Sequence, residues 1–100
     1  MHYRLRFHEV ALVEWRKLDS GLRSQFKKKL EERLTNPRVP SATLSGMADC
    51  FKIKLRSAGY RLVYRVDDAT AFVTVIAVGR QERSGVYRNA LVRQKKASGK

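Results

Sequence analysis

The sequence predicts an α+β domain: a small antiparallel sheet of about four strands, two N-terminal helices packed on one face, and a short C-terminal helix. Three observations predict it. The apolar periodicities run in the order strand, two helices, three strands. Residues 51–56 alternate strictly between apolar and basic. Residues 71–78 are almost wholly apolar, as expected of a central strand. The 100 residues suit one core, expected over residues 1–92, with 93–100 a basic, frayed tail (Arg93, Lys95, Lys96, Lys100).

Tyr3, Leu5 and Phe7 alternate with arginines, so residues 3–7 form a strand that buries those three side chains. Ala11, Trp15 and Leu18 recur at helical spacing, with Leu12 beside them. Asp19 or Ser20 then caps a second helix with the stripe Leu22, Phe26, Leu30 and Leu34. Its outer face carries Arg23, Lys27, Lys28, Lys29, Glu31, Glu32 and Arg33, and Asn36-Pro37 ends it. Residues 36–49 hold both prolines and several Ser and Thr, which makes a loop. Around Ser57-Ala58-Gly59 and Asp67-Asp68 the chain turns, bounding a strand from Tyr60 to Val66. Gly79 is expected to end the strand that begins at Ala71, and a helix is expected from about Ser84.

Charge narrows the function. Lys and Arg total 22 against 9 acids, a net +13, and the pI is about 10.6. Such an excess repels itself in a compact chain, and its commonest reason is a polyanionic partner, nucleic acid above all. Burial selects the hairpin register that sets Phe51 against Tyr64, Ile53 against Leu62 and Leu55 against Tyr60. Lys52, Lys54, Arg56, Arg61 and Arg65 then share the other side, with Lys54 facing Arg61. Like charges so placed destabilise a strand pair. No carboxylate within the hairpin relieves them, and Asp49 is the nearest in sequence. The competing explanation is a solvated face whose charges block edge pairing.

Other chemistries lack their residues. No His, Cys, Asp or Glu set has metal-ligand spacing, so neither a metal nor a cofactor is expected. His2 and His8 read as exposed strand residues, Trp15 as packing, and Cys50 as a half-buried residue at a strand start. A lone cysteine makes no internal disulfide, and neither a signal segment nor a membrane span is evident. Those features point to the cytoplasm.

The segment from Leu44 to Tyr64, LSGMADCFKIKLRSAGYRLVY, resembles the central signature of the RelE toxins. EWRKL at Glu14–Leu18, KKKL at Lys27–Leu30 and VGRQERSGVY at Val78–Tyr87 extend the likeness to roughly residues 1–92. The resemblance implies a microbial-ribonuclease-like fold and a type II toxin–antitoxin system with a RelB-like antitoxin. It also implies cleavage of messenger RNA in the ribosomal A site. Family function falls on Lys52, Lys54, Arg61 and Tyr87, and on an arginine at the position that Gln81 occupies here.

RNA carries its own nucleophile, the 2′-hydroxyl, so positioning and charge stabilisation carry much of such a reaction. Crowded lysines lose protons more easily, which suits Lys52 or Lys54 as base. Arg61 stays charged and belongs on the phosphate. Tyr87 can stack on a base or shuttle a proton; a packing aromatic on a terminal helix is the alternative. Arg83 is expected to compensate for Gln81, with Arg80 second. Arg56, Arg65 and Arg80 are expected to bind RNA. Two other functions fit the same features: a non-catalytic nucleic-acid or ribosome-binding protein, and a ParE-like toxin that blocks gyrase.

Overall fold

The computed structural model describes residues 2–80 and 85–98, with side chains as far as residue 94. In chain order the elements are β1 (Arg4–Phe7), α1 (Glu9–Arg16), α2 (Ser20–Thr35), a single 3₁₀ turn (Pro40–Ala42), β2 (Cys50–Leu55), β3 (Tyr60–Asp67), β4 (Phe72–Arg80) and α3 (Gly85–Ser98). The strand order is β1-β4-β3-β2.

The sheet is mixed, not antiparallel throughout. β2, β3 and β4 form an antiparallel meander, whereas β1 runs parallel to β4, Arg4 beside Phe72 through Phe7 beside Val75. Short turns force antiparallel pairing. β1 meets β4 only after two helices and a hairpin, so no turn constrains its direction. Phe7 and Trp15 pack in a tilted ring contact at 5.2 Å, but Leu5 stays 36% exposed. α1 lies against β4 rather than over this edge strand.

Helix starts follow the sequence closely. The Asp19 carboxylate caps α2, accepting from the Leu22 amide at 2.9 Å. His8 is not a strand residue: its Nδ1 accepts from the Val10 amide at 3.2 Å and caps α1. α1 and α2 cover one face of the sheet, where Phe26 and Leu30 are buried among Phe51, Ile53, Leu62 and Val75. Burying a side chain such as Phe26 contributes about 1.5–3 kcal/mol. α3 covers the other face through Val86 and Ala90, against Met47, Cys50, Val63 and Ile76. Helices therefore flank the sheet on both sides. α3 extends past residue 92, and Cys50 is fully buried, its thiol pushed up to about 11 by burial.

One irregularity decides where side chains at the end of β4 point. Val63 pairs with Ala77 but Tyr64 pairs with Val75, so Ile76 is an extra residue, a β-bulge. Ile76 and Ala77 both join the α3-side core. Val78 returns to the α1/α2 side. Gly79 does not end the strand. It pairs with Arg61, and a Cβ there would lie 3.4 Å from the Val86 side chain.

Candidate functional site

The β2–β3 hairpin has the expected register: Phe51 opposite Tyr64, Lys52 opposite Val63, Ile53 opposite Leu62, Lys54 opposite Arg61 and Leu55 opposite Tyr60. Arg56 to Gly59 make the four-residue turn, and Gly59 closes it at φ 71°, where glycine carries no steric cost. The apolar partners face α2, which leaves Lys52, Lys54, Arg61 and Arg65 on the side that α3 partly covers.

Lys54 feels this crowding. The Lys52 ammonium above all, then burial, Arg61 and Arg56, holds its amine below the ordinary lysine value. Asp49 gives no relief, because Arg38 takes its carboxylate at 2.9 Å. Arg38 also binds Asp68 at 2.8 Å, and the Tyr3 hydroxyl donates to the same carboxylate at 2.6 Å. Asp49 and Asp68 are thus both engaged by Arg38, and the Arg38–Asp68 pair ties the 36–49 loop to the β3–β4 turn.

α3 brings Tyr87 to this face. The Arg61 guanidinium lies over the Tyr87 ring, 4.8 Å from its centre. Arg61 Nε and the Tyr87 hydroxyl are both buried, and neither has a hydrogen-bond partner among the described residues. Burial pushes the Tyr87 hydroxyl up, with the neighbouring arginine pulling the other way. A buried polar atom without a partner normally costs about 1–3 kcal/mol. Both belong to the face that carries Lys52 and Lys54. Next to Tyr87, an open cleft of about 320 Å³ is lined by Ser45, Gly46, Met47, Arg88 and Leu91.

Other expected residues fall differently. Arg56 is exposed in the turn beside Lys54. Arg65 lies on the basic face but reaches the Gln94 side chain of α3 at 3.5 Å. Arg80 does not join the cluster. Its guanidinium sits 5.7 Å from the Tyr60 ring, on the α1/α2 side to which the bulge directs it. Gln81 and Arg83 lie outside the described residues. Among the described residues no group of His, Cys, Asp or Glu is placed to hold a metal ion.

Arg33 supports the site from behind, a role its place on the charged face of α2 concealed. Its guanidinium donates to the Tyr64 hydroxyl at 2.8 Å and to the Lys52 carbonyl at 3.2 Å. The Tyr64 hydroxyl in turn donates to the Pro37 carbonyl at 2.6 Å. The backbone at Lys52 is thereby braced against α2. Periodicity gave no sign of this, because the Arg33 head group reaches inward past the helix's apolar stripe.

Comparison with known proteins gives a consistent result. The family described as ParE toxin of type II toxin-antitoxin system, parDE, matches residues 5–85. Over 93 residues the chain is 58% identical to the mRNA interferase toxin RelE of Escherichia coli (strain K12), covering 93% of this chain and 98% of that protein. The structure of a double mutant of E. coli toxin RelE in the free state superposes with a TM-score of 0.87 at 57% identity, covering 93% of this chain and 98% of that one. A chain of the intact E. coli RelBE toxin–antitoxin complex matches with a TM-score of 0.78 at 59% identity, over 81% of this chain and 99% of that one.

Proposed function

Because the chain belongs to the RelE toxins of the RelE/ParE superfamily, we propose that it is the toxin of a type II toxin–antitoxin pair and an mRNA interferase. It inhibits translation by cutting messenger RNA in the ribosomal A site. Its partners are the ribosome with its messenger and a RelB-like antitoxin, in keeping with the RelBE complex of the E. coli relative. It acts in the cytoplasm, where ribosomes are; no helix among the described residues is long and apolar enough to cross a membrane. Residues 1–92 carry the toxin domain, with Arg93 joined to it through Glu14 and Ile76, and the residues after it add a basic extension.

The observation that carries the chemical reading is Arg61 held over Tyr87 beside Lys52 and Lys54. Lys54 takes the proton from the 2′-hydroxyl, which its lowered pKa favours. The 2′-oxygen attacks phosphorus in line. Arg61 and Lys52 stabilise the charge that develops on the phosphorane oxygens. Tyr87 stacks on a base next to the scissile phosphate. As the P–O5′ bond breaks, the leaving 5′-oxygen takes a proton from water and needs a cation beside it, a part assigned to Arg83 because Gln81 cannot supply a charge. Arg56 and Arg65 extend the RNA path. This scheme needs neither metal nor cofactor.

A ParE-like action on gyrase shares the fold and the matching family. Against it weigh the close identity to RelE over nearly the whole chain and the cation cluster, for which gyrase inhibition has no evident use. A purely binding role leaves the poised Lys54 unexplained. Incubation with programmed ribosomes, followed by mapping of messenger ends, tests all three. Cuts within A-site codons are expected. Uncut messenger would refute the proposal, and loss of gyrase supercoiling activity in a parallel assay would favour the ParE reading.

A further inference from the structure

The cleavage site depends on Tyr87, yet the helix that presents it is held on the sheet by few large apolar groups. Val86 and Ala90, its buried residues, are both small, and the larger Tyr87 and Leu91 pack there only partly buried. Apolar contact is non-directional and resists rotation of a helix about its axis only weakly. The directional contact lies farther along. Arg93 shares a stripe with Val86 and Ala90 at spacings of four and three. Its two terminal nitrogens donate to the two carboxylate oxygens of Glu14 at 2.8 and 3.0 Å, a bidentate pair.

This pair is built into the backbone. Arg93 also donates to the Ile76 carbonyl at 2.8 Å, and Glu14 Oε1 accepts from the Val78 amide at 3.2 Å. Both main-chain groups belong to the bulged stretch of β4. The β1 ladder ends at Val75, whose carbonyl accepts from the His8 amide. Past that point β4 has lost a neighbouring strand, and the two side chains supply hydrogen bonds in its place. Their side chains are only 13% and 25% exposed. Four groups from α1, β4 and α3 thus meet at one point.

We propose that Glu14 and Arg93 form a latch that orients α3 on the sheet and thereby holds Tyr87 beneath Arg61. Both are positioning residues for the cleavage reaction, although neither lies in the basic cluster. This rests on the reading of Tyr87 as part of that site. Arg93→Lys keeps the charge but loses the bidentate fork. Glu14→Gln keeps the shape and an acceptor for Val78 but loses the charge. Arg93→Lys therefore leaves no unpaired buried ion, and in Glu14→Gln the Arg93 guanidinium loses its counter-charge but keeps the amide oxygen and the Ile76 carbonyl as acceptors, a milder change than truncation to Ala.

The test combines backbone amide exchange in α3, cooperative melting and single-turnover cleavage on programmed ribosomes. Arg93→Lys and Glu14→Gln are expected to melt cooperatively while the α3 amides exchange at least about ten-fold faster. Cleavage should slow about ten- to a hundred-fold, the loss a misplaced reacting group brings. Adding Tyr87→Ala to Arg93→Lys should slow cleavage no further than Tyr87→Ala alone, because the latch acts through that residue. Unchanged exchange and rate in both variants would overturn the proposal, as would losses that add in full to that of Tyr87→Ala. If Tyr87→Ala alone cuts at the parental rate, the reading of Tyr87 falls, and with it the positioning role; α3 exchange then still decides whether the latch exists.

Discussion

Lys54 stands directly opposite Arg61 across the β2–β3 ladder, two like charges paired where a stable sheet would place opposite ones. The arrangement weakens the strand pair and concentrates positive charge on one face of the sheet. Lys52→Ala and Lys54→Ala should therefore fold and melt no lower than the parent, while Arg61→Ala folds but loses its contact with Tyr87. All three should cut messenger about a hundred-fold more slowly or worse, as loss of a charge-stabilising group does. Circular dichroism melts and single-turnover cleavage check this. Three unfolded proteins, or three at parental rates, would show that the site lies elsewhere.

Lys54 also predicts a pH profile. Its amine titrates below the ordinary value of 10.5, chiefly because of Lys52. The neutral base is thus present at lower pH than in a free lysine, and the rate should climb with pH along a limb that ends below that value. In Lys52→Ala the main repulsion is gone, so Lys54 should hold its proton to higher pH and the limb of the residual activity should move upward. A limb that stays in place would assign the base to another group.

Cleavage by the substrate's own 2′-hydroxyl leaves a defined product. The 5′ fragment should end in a 2′,3′-cyclic phosphate or its hydrolysis product. EDTA, at levels that keep ribosomes intact, should not stop the reaction. Mass spectrometry of the fragments separates this from attack by activated water, for which a 3′-hydroxyl end would be the sign.

At position 81 this chain carries Gln where the RelE pattern has arginine. A charged hydrogen bond contributes roughly 1.5–3 kcal/mol against about 1 for a neutral one, a difference equivalent to about 2- to 30-fold in rate. Gln81→Arg should accelerate single-turnover cleavage within that range. Arg83→Ala should slow it, and Arg80→Ala, whose side chain lies over Tyr60 on the other side of the sheet, should leave it unchanged. A Gln81→Arg protein no faster than the parent, with a harmless Arg83→Ala, would show that no cation is required there.

Acid should loosen the tie between the 36–49 loop and the β3–β4 turn. The Tyr3 hydroxyl first, and then Arg38, holds the Asp68 carboxyl below its ordinary value of 3.8. A carboxyl depressed by folding stabilises the protein above its unfolded pKa, and that contribution is lost as pH falls through the folded one. Asp68→Asn should therefore lower stability at neutral pH and flatten its decline below about pH 4. Denaturant melts at neutral and acid pH measure this; parallel curves for the two proteins would refute it.

Much of the basic face was legible because strand side chains alternate with period two. Placing Phe51, Ile53 and Leu55 inward leaves Lys52 and Lys54 no other side, and burial of Leu62 and Tyr64 fixes Arg61 opposite Lys54. Local chemistry likewise marked the Asp19 cap and the end of α2 at Asn36. The bulge at Ile76 left no trace, because a run of apolar residues keeps its pattern when the faces shift by one. For that reason the side taken by Arg80 could not be read. The parallel direction of β1, the inward reach of Arg33 to Lys52, and the pairing of Glu14 with Arg93 were equally hidden. That last pair spans 79 residues of sequence. Periodicity reports only what neighbouring residues bury, whereas contacts across the chain exist only once sheet and helices have closed on one another. The sequence by itself determined a cationic sheet face; the tertiary structure decided that α3 lies across it and sets Tyr87 under Arg61.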